Sequence, residues 1–436
     1  RENSMSRSTL AAVVCLVTLA CLLPARAQDP APQAPPAEPL EFYERLEQQD
    51  TLTDNWFTLG RQLTERGVEI GLSATQVYQI NLHGGLAMHK RAGRYTGSYD
   101  LELAFDLETL AGIPGASVYA HAEGSWSDGL SPGSIGDLFG VNADAAGDRA
   151  IDLTELYWEQ ALLGDRLILR AGKMDLTGGF ECKGCAVAFD TSMYAGDETS
   201  QFLNGALVNN PTIPFPEQGL AVSAYANPVE WMYVAAAVAD AEASAAETGF
   251  NTAFHAPDHA FSVMEMGVVP EISSPNGDLV GAYRVGVWHD GQPKAKWSNP
   301  AGEKRDDMGF YVTIDQQVFK ENADPDDLQG AALFARYGYA HDDVNEIDCF
   351  WSIGGQYRGL IPGRDEDVWG VGFAQGRLVK AAGFDKSHES VLETYYNMQV
   401  TPWMSVAPSI QYIWNPGGVS GVSDAVVMGV RCQIAF

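Results

Sequence analysis

The 436-residue chain carries 27 Lys and Arg against 57 Asp and Glu, a formal net charge of −30. Binding to a polyanion needs a basic patch, so no nucleic-acid partner is expected. Such acidity fits solubilising loops, or a pore that favours cations and neutral solutes over anions.

In chain order, the first segment is short and polar, with Met5, Arg7 and Ser8. An apolar run from Leu10 to Leu23 follows, then Pro24-Ala25-Arg26-Ala27. A basic start, a short apolar core and an A-x-A site together read as a secretory signal peptide over residues 1–27. As a helix the apolar run reaches only about 21 Å, short of the ~30 Å hydrocarbon core. Cys21 lacks the context of a lipobox, so lipidation is not expected. Residues 28–40 are rich in Pro, Ala and Gln and read as a linker. Phe42 to Arg66 looks partly helical, with Trp56, Leu59 and Leu63 at helical spacing and Gly67 as the stop. Residues 28–66 are thus expected to be a linker and short periplasmic helical segment, and residues 67–436 a barrel. Beyond the leader no stretch approaches 18 apolar residues, Val229 to Ala239 being the longest, which excludes a helical membrane protein.

From Val68 the apolar period becomes two. Even positions from Val68 to Leu82 are mainly apolar and odd ones mainly polar. Tyr95, Tyr99, Leu101, Leu103 and Phe105 alternate with Thr96, Ser98, Asp100, Glu102 and Asp106. Two faces, one apolar and one polar, define each strand. Similar segments recur near 116–127, 151–160, 166–174, 218–227, 230–240, 260–269, 279–289, 308–319, 330–341, 348–359, 366–379, 390–401, 403–414 and 424–436, making about sixteen in all. Their connections alternate between tight turns, such as Asn227-Pro228 and Thr401-Pro402, and long stretches such as Asp128 to Arg149 and Thr177 to Glu217.

That alternation is the plan of an all-β, closed antiparallel transmembrane β-barrel, in which short turns lie on the periplasmic side and long loops outside. Only a closed sheet leaves no unpaired edge in lipid. Trp231, Trp351, Trp369, Trp403 and Trp414 lie near turns or strand ends, where interfacial girdles belong. The last strand carries Val426, Met428, Val430, Cys432, Ile434 and Phe436 on one face and Gly429, Arg431 and Gln433 on the other. A terminal aromatic in a membrane-facing strand resembles the signal read by outer-membrane assembly machinery, so barrel-assembly machinery, outer-membrane lipid and lipopolysaccharide are expected partners.

From Leu52 to Phe436 a series of short motifs follows in order: Thr64-Glu65-Arg66-Gly67-Val68, Ile135-Gly136-Asp137-Leu138-Phe139-Gly140-Val141, Glu155-Leu156-Tyr157-Trp158-Glu159-Gln160 and Leu169-Arg170-Ala171-Gly172-Lys173. Then come Tyr357-Arg358-Gly359-Leu360-Ile361-Pro362-Gly363-Arg364-Asp365, Gln399-Val400-Thr401-Pro402-Trp403, and the stretch from Gln411 through Asn415-Pro416-Gly417-Gly418. No single motif decides a family, but in their order and spacing together the chain resembles the carbohydrate-selective porin family of the OprB type. The resemblance implies a sixteen-stranded barrel, no catalytic chemistry, and uptake of glucose or related small neutral carbohydrates through a narrowed eyelet in the outer membrane.

A passage for neutral sugars needs hydrogen-bonding groups beside aromatic platforms, with binding weak enough to release. Candidates on the polar phase are Glu102, His121, Glu123, Arg170, Arg284, Trp288, Arg336, Gln356, Arg358, Arg377, Arg431 and Gln433, with Trp126 and Phe180 as stacking surfaces at loop bases. Arg336, Arg358, Arg377 and Arg431 are expected to point inward, which the cost of an Arg in lipid by itself accounts for. Facing carboxylates, they would set up a transverse field. Cys182-Lys-Gly-Cys185 has no second CxxC and no His pair at ligand spacing, so a loop disulfide is expected in preference to a redox or zinc site. Asp306-Asp307, Asp326-Asp327 and Asp342-Asp343 lack EF-hand spacing and read as solvated loop charge. Neither a metal nor a cofactor is expected. No G-x-S-x-G elbow supports a lipase. The alternative to a sugar channel is a general or cation-preferring porin.

Overall fold

A computed structural model describes residues 49–57, 59–87, 93–181, 197, 199–244, 259–324 and 327–436. The expected leader and most of the linker, Cys182, Cys185 and Asp326 lie outside them. Leu59–Thr64 is helical as expected, but Asp54–Phe57 takes positive φ, so Trp56 and Leu59 do not share one right-handed helix.

Sixteen strands form the barrel: β1 Val68–Gly85, β2 Gly93–Asp106, β3 Ala116–Trp126, β4 Arg149–Leu162, β5 Leu167–Met174, β6 Gly219–Val229, β7 Met232–Asp240, β8 Ala260–Val268, β9 Gly277–Asp290, β10 Asp307–Lys320, β11 Gly330–Tyr339, β12 Ile347–Arg358, β13 Val368–Leu378, β14 His388–Thr401, β15 Met404–Trp414 and β16 Ser423–Ala435. Each is antiparallel to the next, and β16 returns to β1 in the register Ser73↔Ala435 to Gln79↔Gly429. Phe436 N–H donates to the Leu72 carbonyl at 2.9 Å at this seam. The sheet is thereby closed and leaves no edge strand to the lipid. Glu271–Ser274 adds only a short pairing to the start of β9.

The alternation sorts side chains as a lipid-facing barrel requires. Tyr78, Val222, Met264, Val287, Leu333, Ile353 and Met428 point outward and are exposed, while Gln79, Ser223, Glu265, Arg284, Arg336 and Arg431 point inward and are buried. Outward aromatics form bands toward both strand ends. Trp351, Phe373, Trp414 and Tyr412 follow one another with ring centroids 5.1, 5.9 and 4.5 Å apart toward the loop side, and Phe319 and Tyr357 pair at 6.2 Å toward the turn side. Amphipathic rings belong at these interfaces.

The lumen holds a packed core. The connection 127–148 enters with Leu130, Ile135 and Val141, and the connection 175–218 with Phe202, Leu203, Ala206 and Leu207. They pack on Phe334, Phe350, Tyr395 and Val427 of the inner wall. The inner face of β13 is stripped to Gly370, Gly372, Ala374 and Gly376. A Cβ at Gly372 would stand 2.9 Å from atoms of both Leu207 and Phe202, and one at Gly376 2.9 Å from Phe139. The small residues let the loops seat against the wall.

Candidate functional site

Two walls of the lumen differ. Many inward side chains of β8 to β16 are buried, Arg284, Arg336, Glu393 and Arg431 among them, whereas Asp100, Glu102, His121, Glu123, Glu155 and Glu159 of β2 to β4 keep part of their solvent exposure. The open passage therefore runs along β2 to β5. Register places Glu102 opposite His121 and Asp100 opposite Glu123. His121 lies with Nε2 3.1 Å from Asp100 Oδ1 and Nδ1 2.8 Å from Thr154 Oγ1. The next strand adds Asp152, Glu155 and Glu159, and Glu155 accepts the Asp175 N–H at 3.0 Å. Arg170 Nε donates to Glu159 at 2.7 Å, and its guanidinium lies 5.3 Å from the Tyr157 ring and 5.2 Å from the Tyr225 ring. The Tyr119 and Tyr157 rings sit 5.3 Å apart. A lane of acceptors thus runs beside tyrosine faces, the two things a sugar needs: hydroxyl partners and a platform for the ring.

Tyr119, Tyr157 and Tyr225 were not among the sequence candidates. The signal was there in the period: Tyr119 is in step with His121 and Glu123, and Tyr157 with Glu155 and Glu159.

Glu102, His121, Glu123 and Arg170 lie in this lane. Arg284, Arg336 and Arg431 also point inward but are buried under the loop 175–218, so they form no open ladder. Arg284 donates to the Glu181 carbonyl, Arg336 Nη1 to the Leu207 carbonyl at 2.9 Å, and Arg431 Nη1 to the Gln201 carbonyl at 2.8 Å. Carboxylates do the converse: Glu393 accepts the N–H groups of Leu203 and Asn204 at 2.9 Å each, and Glu265 that of Glu181 at 2.8 Å. Glu389 likewise accepts Leu138 and Phe139 N–H of the first loop at 3.0 and 3.1 Å. Charged wall groups therefore fasten both loops by their backbones, and charge-assisted bonds of this kind are about twice as strong as neutral ones.

Other positions depart from expectation. Arg377 points outward at the loop-side rim, paired with Asp348 at 2.7 Å, because it shares the outer phase of β13 with Trp369, Val371 and Phe373 and lies close enough to the strand end for its charge to leave the lipid. Trp126 lies on the outer surface over Gly97, its ring 5.9 Å from Tyr95. Phe180 is fully buried under the loop against Tyr225, ring to ring 5.7 Å, and Trp288 points inward but is buried beneath Lys294, so neither offers a free stacking face. Gln433 is inward and bonded to Thr75. Gln356 and Arg358 border a cavity on the opposite wall. Asp307 is not solvated: it is buried and holds Lys294 at 2.8 Å. His341, Asp342 and Asp343 cluster on an exposed connection with ligand-type atoms within 4.8 Å of one another.

A closed sixteen-stranded barrel with an outer apolar face, aromatic bands and a narrowed polar lumen defines an outer-membrane diffusion channel. Residues 90–436 match the family model described as carbohydrate-selective porin, OprB family. The chain belongs to that family: it is a carbohydrate-selective porin of the outer membrane. It is 25% identical over 422 residues to Porin B of Pseudomonas aeruginosa, covering 88% of this chain and 90% of that one. It is 21% identical to the putative porin QuiX of Acinetobacter baylyi, covering 88% and 93%. The high-pH structure of Pseudomonas putida OprB shares the fold, with a TM-score of 0.75 at 21% identity over 89% of this chain and 99% of that one.

Proposed function

We propose that the chain passes single-ring neutral sugars, glucose among them, along the β2 to β5 lane, with Tyr119 and Tyr157 as platforms and Glu102, His121, Glu123 and Arg170 as hydroxyl partners. The observation that carries this is the half-buried tyrosine pair, its rings 5.3 Å apart, flanked by partly exposed carboxylates on the inner wall. Tyrosine faces meet the weakly apolar ring while the acceptors take its hydroxyls.

Six carboxylates against Arg170 and His121 repel anions, so cations are expected to share the lane. The transported solute diffuses and no bond is made or broken. The terminal strand with outward Met428, Val430, Ile434 and Phe436 supports delivery by barrel-assembly machinery into a lipid and lipopolysaccharide bilayer.

Liposome swelling with a panel of mono- and disaccharides tests the reading. Glucose should enter faster than an uncharged polyol of equal size, and lanes carrying Tyr157→Ala should lose that preference. Entry ordered by size alone would refute a sugar site.

A further inference from the structure

A second feature lies across the lumen from the lane, near the turn-side ends of β10 to β14. A cavity of about 290 Å³ is bordered by Gln317, Ala332, Gln356, Arg358, Asp197 and Asn397. Register builds it: Gln317 stands opposite Ala332, Ala332 opposite Gln356, and Gln356 opposite Gly370. A small residue between two amides leaves a recess about two strand spacings, or roughly 10 Å, between their backbones. Gly330 and Gly370 keep the flanks low, Gly370 lying under the ring of Tyr395. The roof is the constriction loop at Asp197 and Ser200, fastened by Asn397 Nδ2 donating to the Ser200 carbonyl at 3.0 Å.

The chemistry of the lining selects a ligand class. Arg358 is compensated by Glu366, and Asp197, hydrogen-bonded by the Thr199 and Ser200 hydroxyls, has the Arg431 guanidinium within electrostatic reach, so both charges are met from within the protein. The other polar side chains are the amides of Gln201, Gln317, Gln356 and Asn397, which both donate and accept, set beside the apolar Leu328 and Val368; Asn397 Oδ1 is buried with no hydrogen-bond partner among the described residues. Among the described residues no aromatic face lines the cavity. The volume is at the low end of ligand pockets, ~300–1,000 Å³.

We propose that this cavity is a second holding site for one neutral polyhydroxylated ring, on the periplasmic side of the constriction, bound by its hydroxyl edges and not by stacking. The site rests on the reading that sugars enter this channel. It would hold a solute that has passed the loop, so that the channel has two sugar sites in series on opposite walls.

The test uses the full channel in planar bilayers, with glucose added to one side at a time and block of ion current as readout. Ala332→Trp fills the recess, and Gln356→Leu removes an amide at nearly constant volume should the larger side chain prevent folding. The half-blocking glucose concentration from the turn side should rise at least threefold in either variant, and from the loop side by less than half as much. Equal block from both sides, unchanged from the parent, would overturn the cavity site while leaving the lane intact. Absence of glucose block in the parent from either side, with Tyr157→Ala also unchanged, would overturn both.

Discussion

Arg336→Met separates what holds the barrel from what narrows it. Arg336 is 3% exposed, with Nη1 2.9 Å from the Leu207 carbonyl and 3.4 Å from that of Val208, Nε 3.8 Å from Glu181 Oε1, and its guanidinium 5.4 Å from the Phe334 ring. Methionine keeps much of the volume but deletes the charge. A hydrogen bond from a charged donor contributes about 1.5–3 kcal/mol, and a buried partner left alone adds a penalty, so removal should cost the docked loop about 3 kcal/mol. At 1.4 kcal/mol per tenfold, that raises the undocked fraction of the 175–218 loop roughly 150-fold. The strand ladder of β11 is untouched, because its bonds are backbone to backbone. Single-channel recording should show larger, noisier conductance and weaker discrimination among sugars, while heat-modified mobility on gels keeps the barrel's melting point within a few degrees. A variant with parent conductance and parent discrimination would refute the role of Arg336 as a loop fastener, and a lost barrel would show that lumen packing holds the wall.

Three further outcomes follow from the geometry. Tyr157→Ala should raise the glucose concentration needed for half block up to about tenfold, from the ~0.5–1.5 kcal/mol worth of an aromatic contact, with single-channel recording as the check. Trp126→Ala and Arg377→Ala, both on the outer surface, should leave sugar permeation unchanged; a fall in swelling rate for either would place it in the pore after all. Asp137 lies in the 127–148 loop, where burial pushes its carboxyl above the usual range against the pull of the Ser131 hydroxyl. A raised carboxyl disfavours the charged form, so the seated loop is steadiest below the ordinary carboxylate range and loses stability as pH rises from there through the raised folded value, where the buried charge appears beside Glu389, which accepts the adjoining N–H of Leu138. Conductance should therefore grow with rising pH in the parent and stay flat in Asp137→Asn; identical pH profiles would discard the mechanism.

Strand positions and the lipid-facing phase were legible because a two-residue period follows from backbone geometry and lipid tolerates no unpaired backbone group. The run Tyr99, Leu101 and Leu103 against Asp100 and Glu102 states its own orientation, and the terminal strand with Arg431 and Gln433 opposite Met428 and Val430 does the same. Phase was misread at two positions. On β13 the apolar Trp369, Val371 and Phe373 share the side of Arg377, so its charge was the misleading signal, and Trp126 at a strand end could be read either way.

What the chain could not disclose is which inward residues meet water. Arg284, Arg336 and Arg431 share an inward phase with Glu102 and His121, but the first three lie under a loop and the others line the passage. That division depends on where residues 127–148 and 175–218 pack, and their placement rests on contacts between positions hundreds of residues apart, such as Glu393 with Leu203 and Arg431 with Gln201. Local periodicity carries no record of such pairings. The sequence by itself determined a lipid-facing barrel and its inner face; the tertiary structure alone decided which wall is open, because only the seated loops separate buried charge from pore lining.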